Sequence, residues 1–137
     1  MVINVCDTSI LCRNLKPHSE FRKEVKLWLK ANYLNQSFVN EETQYIIFIN
    51  NTFIEKVTSS FGDIKAHSFT AIPAIIKNAI FIKAENDKKE RADILKVLKF
   101  EGLINVAGDI YEIWIYVRQT NRQLQLYSIN INVQKTP

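Results

Sequence analysis

Residues 110–133 read IYEIWIYVRQTNRQLQLYSININV, and their alternation decides the fold. Ile113, Ile115 and Val117 recur at every second position, with Trp114, Tyr116 and Arg118 beside them. A period of two sends successive side chains to opposite faces of a strand. Residues 110–119 are therefore predicted as a strand with an aliphatic face and an aromatic–arginine face. Thr120-Asn121-Arg122 is predicted as a bend and 122–133 as the returning strand. Joined by a tight turn, the two would set Gln125 across from Arg118 and Tyr127 across from Tyr116. Upstream, Leu98, Phe100, Ile104 and Val106 alternate as well, and Gly108-Asp109 has the composition of a two-residue turn. The stretch ILKVLKF, 94–100, also suits a helix through Ile94, Leu95, Val97 and Leu98, with strand favoured from Val97. The expectation is a three-stranded antiparallel meander.

The segments before it differ in period. In PHSEFRKEVKLWLKANY, 17–33, Phe21, Val25, Trp28, Leu29 and Tyr33 form one helical stripe, with Ser19 as a candidate N-cap. Its other face carries Arg22, Lys23, Lys26 and Lys30, either a solvated surface or a phosphate contact. Residues 43–58, TQYIIFINNTFIEKVT, place two β-branched and aromatic runs around Asn50-Asn51 and are predicted as a β-hairpin. Residues 59–65 read as a polar connection. A second helix is expected from a Thr70 cap, with Pro73 in its first turn and Ile72, Ile75, Ile76 and Ala79 as its apolar stripe. The charged run AENDKKERAD, 84–93, reads as an exposed loop or frayed turn. The sum is an α+β domain: N-terminal helix or helices packed on a twisted antiparallel sheet made of hairpin, helix and three-stranded meander.

The totals narrow the function. A chain of 137 residues fits a single domain, and 47% hydrophobic with 23% charged residues is the balance of a folded globular protein. The formal charge of +4 favours an anionic partner such as nucleic acid without requiring one. Three glycines and no GxxxxGK[ST] or GxGxxG pattern exclude a glycine-rich phosphate loop. Cys6 and Cys12 have neither a zinc spacing nor a disulfide framework around them, so reduced thiols in a reducing compartment are expected. No metal or other cofactor is expected. No apolar run is long enough for a membrane span, and MVINVCDTSILC lacks the pattern of a signal peptide.

One ordered set of motifs meets a known pattern. FIEKV ends in a basic residue, His67 follows, and then come IPAIIKNA, the charged stretch, GDIYEIWIYVRQ and LYSI. This order resembles the large polyvalent-protein-associated domains and phage-linked nucleases of the Barnase–EndoU–colicin–RelE superfamily. The resemblance covers about residues 43–133, with 1–42 as a helical N-terminal extension. It implies a metal-independent endoribonuclease, often acting on tRNA, in a phage, mobile-element or toxin system. It also implies RNA and an acidic immunity or antitoxin protein as partners. Action would be in the cytoplasm, with delivery as part of a larger protein. The alternative is an inactive relative that binds nucleic acid or protein. On the family pattern, His67, Arg118, Thr120 and Tyr127 take the catalytic positions and Ser128 a supporting one. No second histidine stands in the meander, unlike in two-histidine relatives.

The chemistry fits these residue types. Metal-free RNA cleavage needs a base for the 2′-hydroxyl, cations on the phosphorane and an acid for the leaving oxygen. His67 suits base or acid, since imidazole holds both forms near neutrality; as an alternative it is a cap or core-edge residue. His18 is a weaker candidate. Arg118 can grip phosphate with a forked donor pair. Trp114 and Tyr116 offer stacking faces to bases if the isoleucine face is the core, and pack under the helices if it is not. Lys56 and Lys65 can converge on the same anion or remain surface lysines, and Thr120 and Ser128 can donate to a phosphate oxygen or serve the turn and ladder.

Overall fold

The computed structural model describes residues 2–5, 18–59 and 61–132, apart from the side chains of His18 and Asp63. Cys6 and Cys12 lie outside the described residues. In chain order the elements are β1 (Val2–Asn4), α1 (His18–Tyr33), β2 (Ser37–Val39), β3 (Ile46–Phe48), α2 (Asn51–Val57) and α3 (Asp63–Ser68). A 3-10 turn (Phe69–Ala71) leads into α4 (Ile72–Asn78), followed by β4 (Ile80–Glu85), β5 (Lys96–Val106), β6 (Asp109–Gln119) and β7 (Leu124–Ile131). The α+β expectation holds. The sheet, however, is mixed: β1 runs parallel to β5 and β3 parallel to β7, while the remaining pairs are antiparallel.

The meander is the sheet's spine. β5 and β6 pair along their full lengths, from Lys96↔Gln119 to Val106↔Asp109. The turn between them is Ala107-Gly108, one residue earlier than expected, with positive φ at both positions. Beyond β7 the order continues to β3 and β2, and the other edge of β5 is shared by β4 and β1. The alternation of β6 is as predicted: Ile113, Ile115 and Val117 are buried, while Trp114, Tyr116 and Arg118 take the opposite face.

On the core side, α1 buries Phe21, Val25, Leu29 and Tyr33, as its stripe predicted. Three of the four cations on its outer face serve structure. Lys26 and Lys30 both reach Glu55 on α2, at 2.7 and 3.4 Å, and Arg22 donates to the Ser59 carbonyl.

The hairpin expected over 43–58 is not formed. Asn50 is instead the N-cap of α2, its Oδ1 accepting from the Phe53 N–H at 3.0 Å, and FIEKV is helical. Asn suits a tight turn and a helix cap equally well. Burial of Phe53, Ile54 and Val57 decides for the helix, because three core contacts at that spacing fit a helical face. The short hairpin that does exist is β2–β3, one step upstream. The polar connection gives way to α3 from Asp63. Thr70 is not a cap; its hydroxyl donates to the His67 carbonyl at 3.1 Å. Residues 80–85, left without an element by the sequence reading, form β4, whose Phe81 stacks edge-on against Phe100.

Candidate functional site

The site begins with a register fault. In the β6–β7 ladder Val117 pairs with Leu126 and Tyr116 with Ser128, so Tyr127 has no partner and is the extra residue of a β-bulge. Leu126 and Ile129, three apart, can then both be buried, and Tyr127 is released from the core. Gln125 does oppose Arg118, as expected, but Ser128 rather than Tyr127 opposes Tyr116.

Two cations clamp the Tyr127 ring. The Arg118 Cζ lies 3.3 Å and the Lys56 Nζ 3.5 Å from its centroid. Groups that close cannot share one face without overlap, so they take opposite faces, each in cation–π contact. Lys56 gets there because β3 pairs with only Leu124 and Gln125 of β7, which leaves α2 to pack along the rest of that strand.

A third side of the site comes from the β4–β5 connection. Asp87, 7% exposed, accepts from Arg91 Nε at 2.9 Å, Arg91 Nη2 at 3.2 Å and the backbone N–H of Arg91 at 3.0 Å. The run expected to be a frayed flank is therefore tied to one buried carboxylate. The guanidinium of Arg91 holds that carboxyl well below the usual range, and the carboxylate raises Arg91 in return.

These parts enclose a cleft of about 400 Å³ lined by Lys56, Lys65, Lys88, Lys89, Arg91 and Arg118 beside Tyr116, Tyr127 and Ser128. Its acids are already engaged: Asp87 with Arg91, and Glu85 with Lys83 at 3.6 Å. The surplus is positive and suits an anion. Arg118 Nη2 is buried without a hydrogen-bond partner, and burial lowers the guanidinium's pKa. Burial, together with the Lys56 charge, pushes the Lys65 ammonium down. Hydrogen bonding to Lys56, the charge of Arg118 and the nearby Arg91 draw the Tyr127 phenol below its ordinary value, against an opposing effect of burial. Among the described residues no cluster of His, Cys, Asp or Glu could hold a metal ion.

Of the residues singled out from sequence, Lys56, Lys65, Tyr116, Arg118, Tyr127 and Ser128 meet in this cleft. Three do not line it. His67 follows Lys65 by two positions on α3, about 200° around the helix, and its Nδ1 is buried with no hydrogen-bond partner. Thr120 organises the β6–β7 turn, accepting from the N–H groups of Arg122 and Gln123 and donating to the Gln123 carbonyl. Trp114 lies in a second groove with Ile80, Ile82, Leu103 and Glu112, and Lys99 sits 5.8 Å from its ring centroid. Sequence reading missed Asp87 and Arg91; their i,i+4 spacing is the only signal they carry.

The family model for large polyvalent protein-associated domain 3 matches residues 17–127. The chain belongs to that family. No curated protein and no solved structure gives a match. The matched span of this polyvalent protein-associated domain starts just before α1 and ends at Tyr127, so it takes in every element that builds the cleft except the end of β7. Membership fits a domain carried within a larger protein of a phage-associated or toxin-like setting. No described helix is long and apolar enough to cross a membrane.

Proposed function

We propose that the domain is a metal-independent endoribonuclease of the Barnase–EndoU–colicin–RelE type, with Tyr127 rather than His67 at the centre of its chemistry. The observation that carries this reading is the bulged Tyr127 held between Lys56 and Arg118, with one Arg118 N–H₂ group unpaired. A phenol drawn toward ionisation suits a general base, whose best pKa lies near the working pH. In the proposed reaction Tyr127 takes the 2′-hydroxyl proton and the 2′-oxygen attacks phosphorus. The P–O5′ bond then breaks to leave a 2′,3′-cyclic phosphate. The 5′-oxygen takes its proton from a lysine ammonium, Lys65 being the one with the lowered pKa. Arg118 neutralises the phosphorane oxygens in a partly desolvated site. Tyr116 and Ser128 complete the wall.

One observation favours the binding-only alternative: the chain's single described histidine side chain, His67, is outside the cleft. An acidic immunity-type protein would compete for the same cations. Incubation of the purified protein with total tRNA in EDTA separates the readings. Cyclic-phosphate fragments from the wild type and His67→Ala, lost in Tyr127→Phe, support the enzyme. Intact RNA with a salt-dependent shift in gel mobility supports binding alone. Loss of cleavage in His67→Ala with full activity in Tyr127→Phe reverses the assignment.

A further inference from the structure

The connection between β4 and β5 carries an ion pair between the buried Asp87 carboxylate and the part-exposed Arg91 guanidinium, and its position next to the phenol calls for a purpose. Asp87 lines the cleft, but both of its oxygens are taken up by Arg91 and by backbone N–H groups of the same turn. Arg91 in turn lines the cleft beside Tyr127. The other groups around the ring come from separate elements: Lys56 on α2, Lys65 on α3, Glu85 on β4, Tyr116 and Arg118 on β6. Lys56 and Arg118 occupy the ring's faces, so Arg91 is the cation that addresses it from the side of the connection. A two-point fork fixes a guanidinium in direction as well as in distance, which a single contact does not.

We propose that Asp87 is a positioning residue, which through its fork holds Arg91 as the third cation on Tyr127 and thereby governs the ionisation of that phenol. The catalytic consequence rests on the reading of Tyr127 as the reactive group; the electrostatic claim does not. The sign of one substitution separates positioning from plain charge. Losing a neighbouring negative charge by itself eases ionisation and moves the phenol's midpoint down. Releasing Arg91 moves it up.

The test is a pH titration of the protein carrying isotope-labelled tyrosine, followed by NMR, with the Tyr127 signal assigned by its loss in Tyr127→Phe. Arg91→Gln is expected to raise the Tyr127 midpoint by roughly half a unit to one unit, the pull of a cation a few ångströms away in a partly exposed site. Asp87→Asn is expected to raise it as well, and the double variant to titrate like Arg91→Gln alone. Arg91→Lys keeps a charged partner for Asp87 but lacks the fork, and covers the case in which Asp87→Asn does not fold. It is expected to give a smaller upward shift. A downward or absent shift in Asp87→Asn, or an unmoved midpoint in Arg91→Gln or Arg91→Lys, overturns the proposal. A protein that titrates as expected but cuts no RNA loses the proposed function and keeps this inference.

Discussion

Arg118→Met is the substitution whose outcome the geometry constrains most tightly. The wild-type guanidinium leaves Nη2 buried and unpaired, and an unmet donor costs about 1–3 kcal/mol. Its stacking on Tyr127 returns about 0.5–2 kcal/mol. Methionine keeps an unbranched stem against the ring and removes both the orphan donor and the repulsion from Arg91. The free protein should therefore fall between a loss of ~1 kcal/mol and a gain of ~2.5 kcal/mol on this balance. For a chain of 137 residues each kcal/mol is about 3–4 °C in Tm. Inorganic phosphate should act in the opposite sense. At about ten times its Kd it should stabilise the wild type by ~1.4 kcal/mol, near 5 °C, and leave the variant unmoved. Thermal melts with and without phosphate read both effects, with Lys23→Met on the exposed face of α1 as the control. A variant destabilised by clearly more than ~1 kcal/mol would mean that Arg118 is a structural cation whose Nη2 is satisfied in solution. Retained phosphate stabilisation would mean that the cleft's cations do not act on anions through Arg118.

Further outcomes follow from the caps, turns and buried phenol. Asn50→Ala should cost ~1 kcal/mol by melting or urea denaturation while Asn50→Asp is nearly neutral, because a carboxylate also caps α2; equal stability of all three would refute the cap. Ala107 sits at φ 53° ahead of Gly108 at φ 91°, the setting of an Asn-Gly turn, so Ala107→Asn should stabilise by about 0.5–1 kcal/mol, and a lower Tm would refute that turn type. Tyr33 donates to the Phe69 carbonyl at 3.0 Å, and burial pushes its pKa up to about 12. Its neutral form is the one favoured in the fold, so its contribution is full below the unfolded value near 10 and is lost as pH climbs toward about 12. Tyr33→Phe should flatten that alkaline decline, which a pH series of melts would show; an unchanged slope would place the titration elsewhere.

The sequence made the meander legible because alternation is a local signal and β6 has no interruption. The same alternation separated the two faces of β6, with Tyr116 and Arg118 on one, but left open which is the core; burial of Ile113, Ile115 and Val117 decides it. The bulge was not legible. LQLYSINI alternates well enough to hide an extra residue, and only the requirement that Leu126 and Ile129 both reach the core exposes it. Asn50 misled because hairpin turns and helix caps select the same side chain for the same reason, an amide that satisfies backbone groups at close range. Lys56 and Lys65 were found for their charge, but placed at the ends of a hairpin that does not form. His67 was raised by motif order, which says nothing about helical phase; Lys65, two residues earlier, takes the cleft-facing side. Asp87 and Arg91 were lost in a charged run where composition reads as solvent, although seven-eighths or more of Asp87 is shielded from it.

The unpaired position in β7 also separates two kinds of selection. A residue outside the ladder owes nothing to its cross-strand neighbour, so exchanging Tyr127 leaves the packing of Leu126 and Ile129 in place. Removing Tyr127 would instead leave a plain alternation in which Leu126 and Ile129 still face the core, while the ring between Lys56 and Arg118 is lost. The core thus depends on neither the identity nor the presence of the bulged residue, and the cleft depends on both.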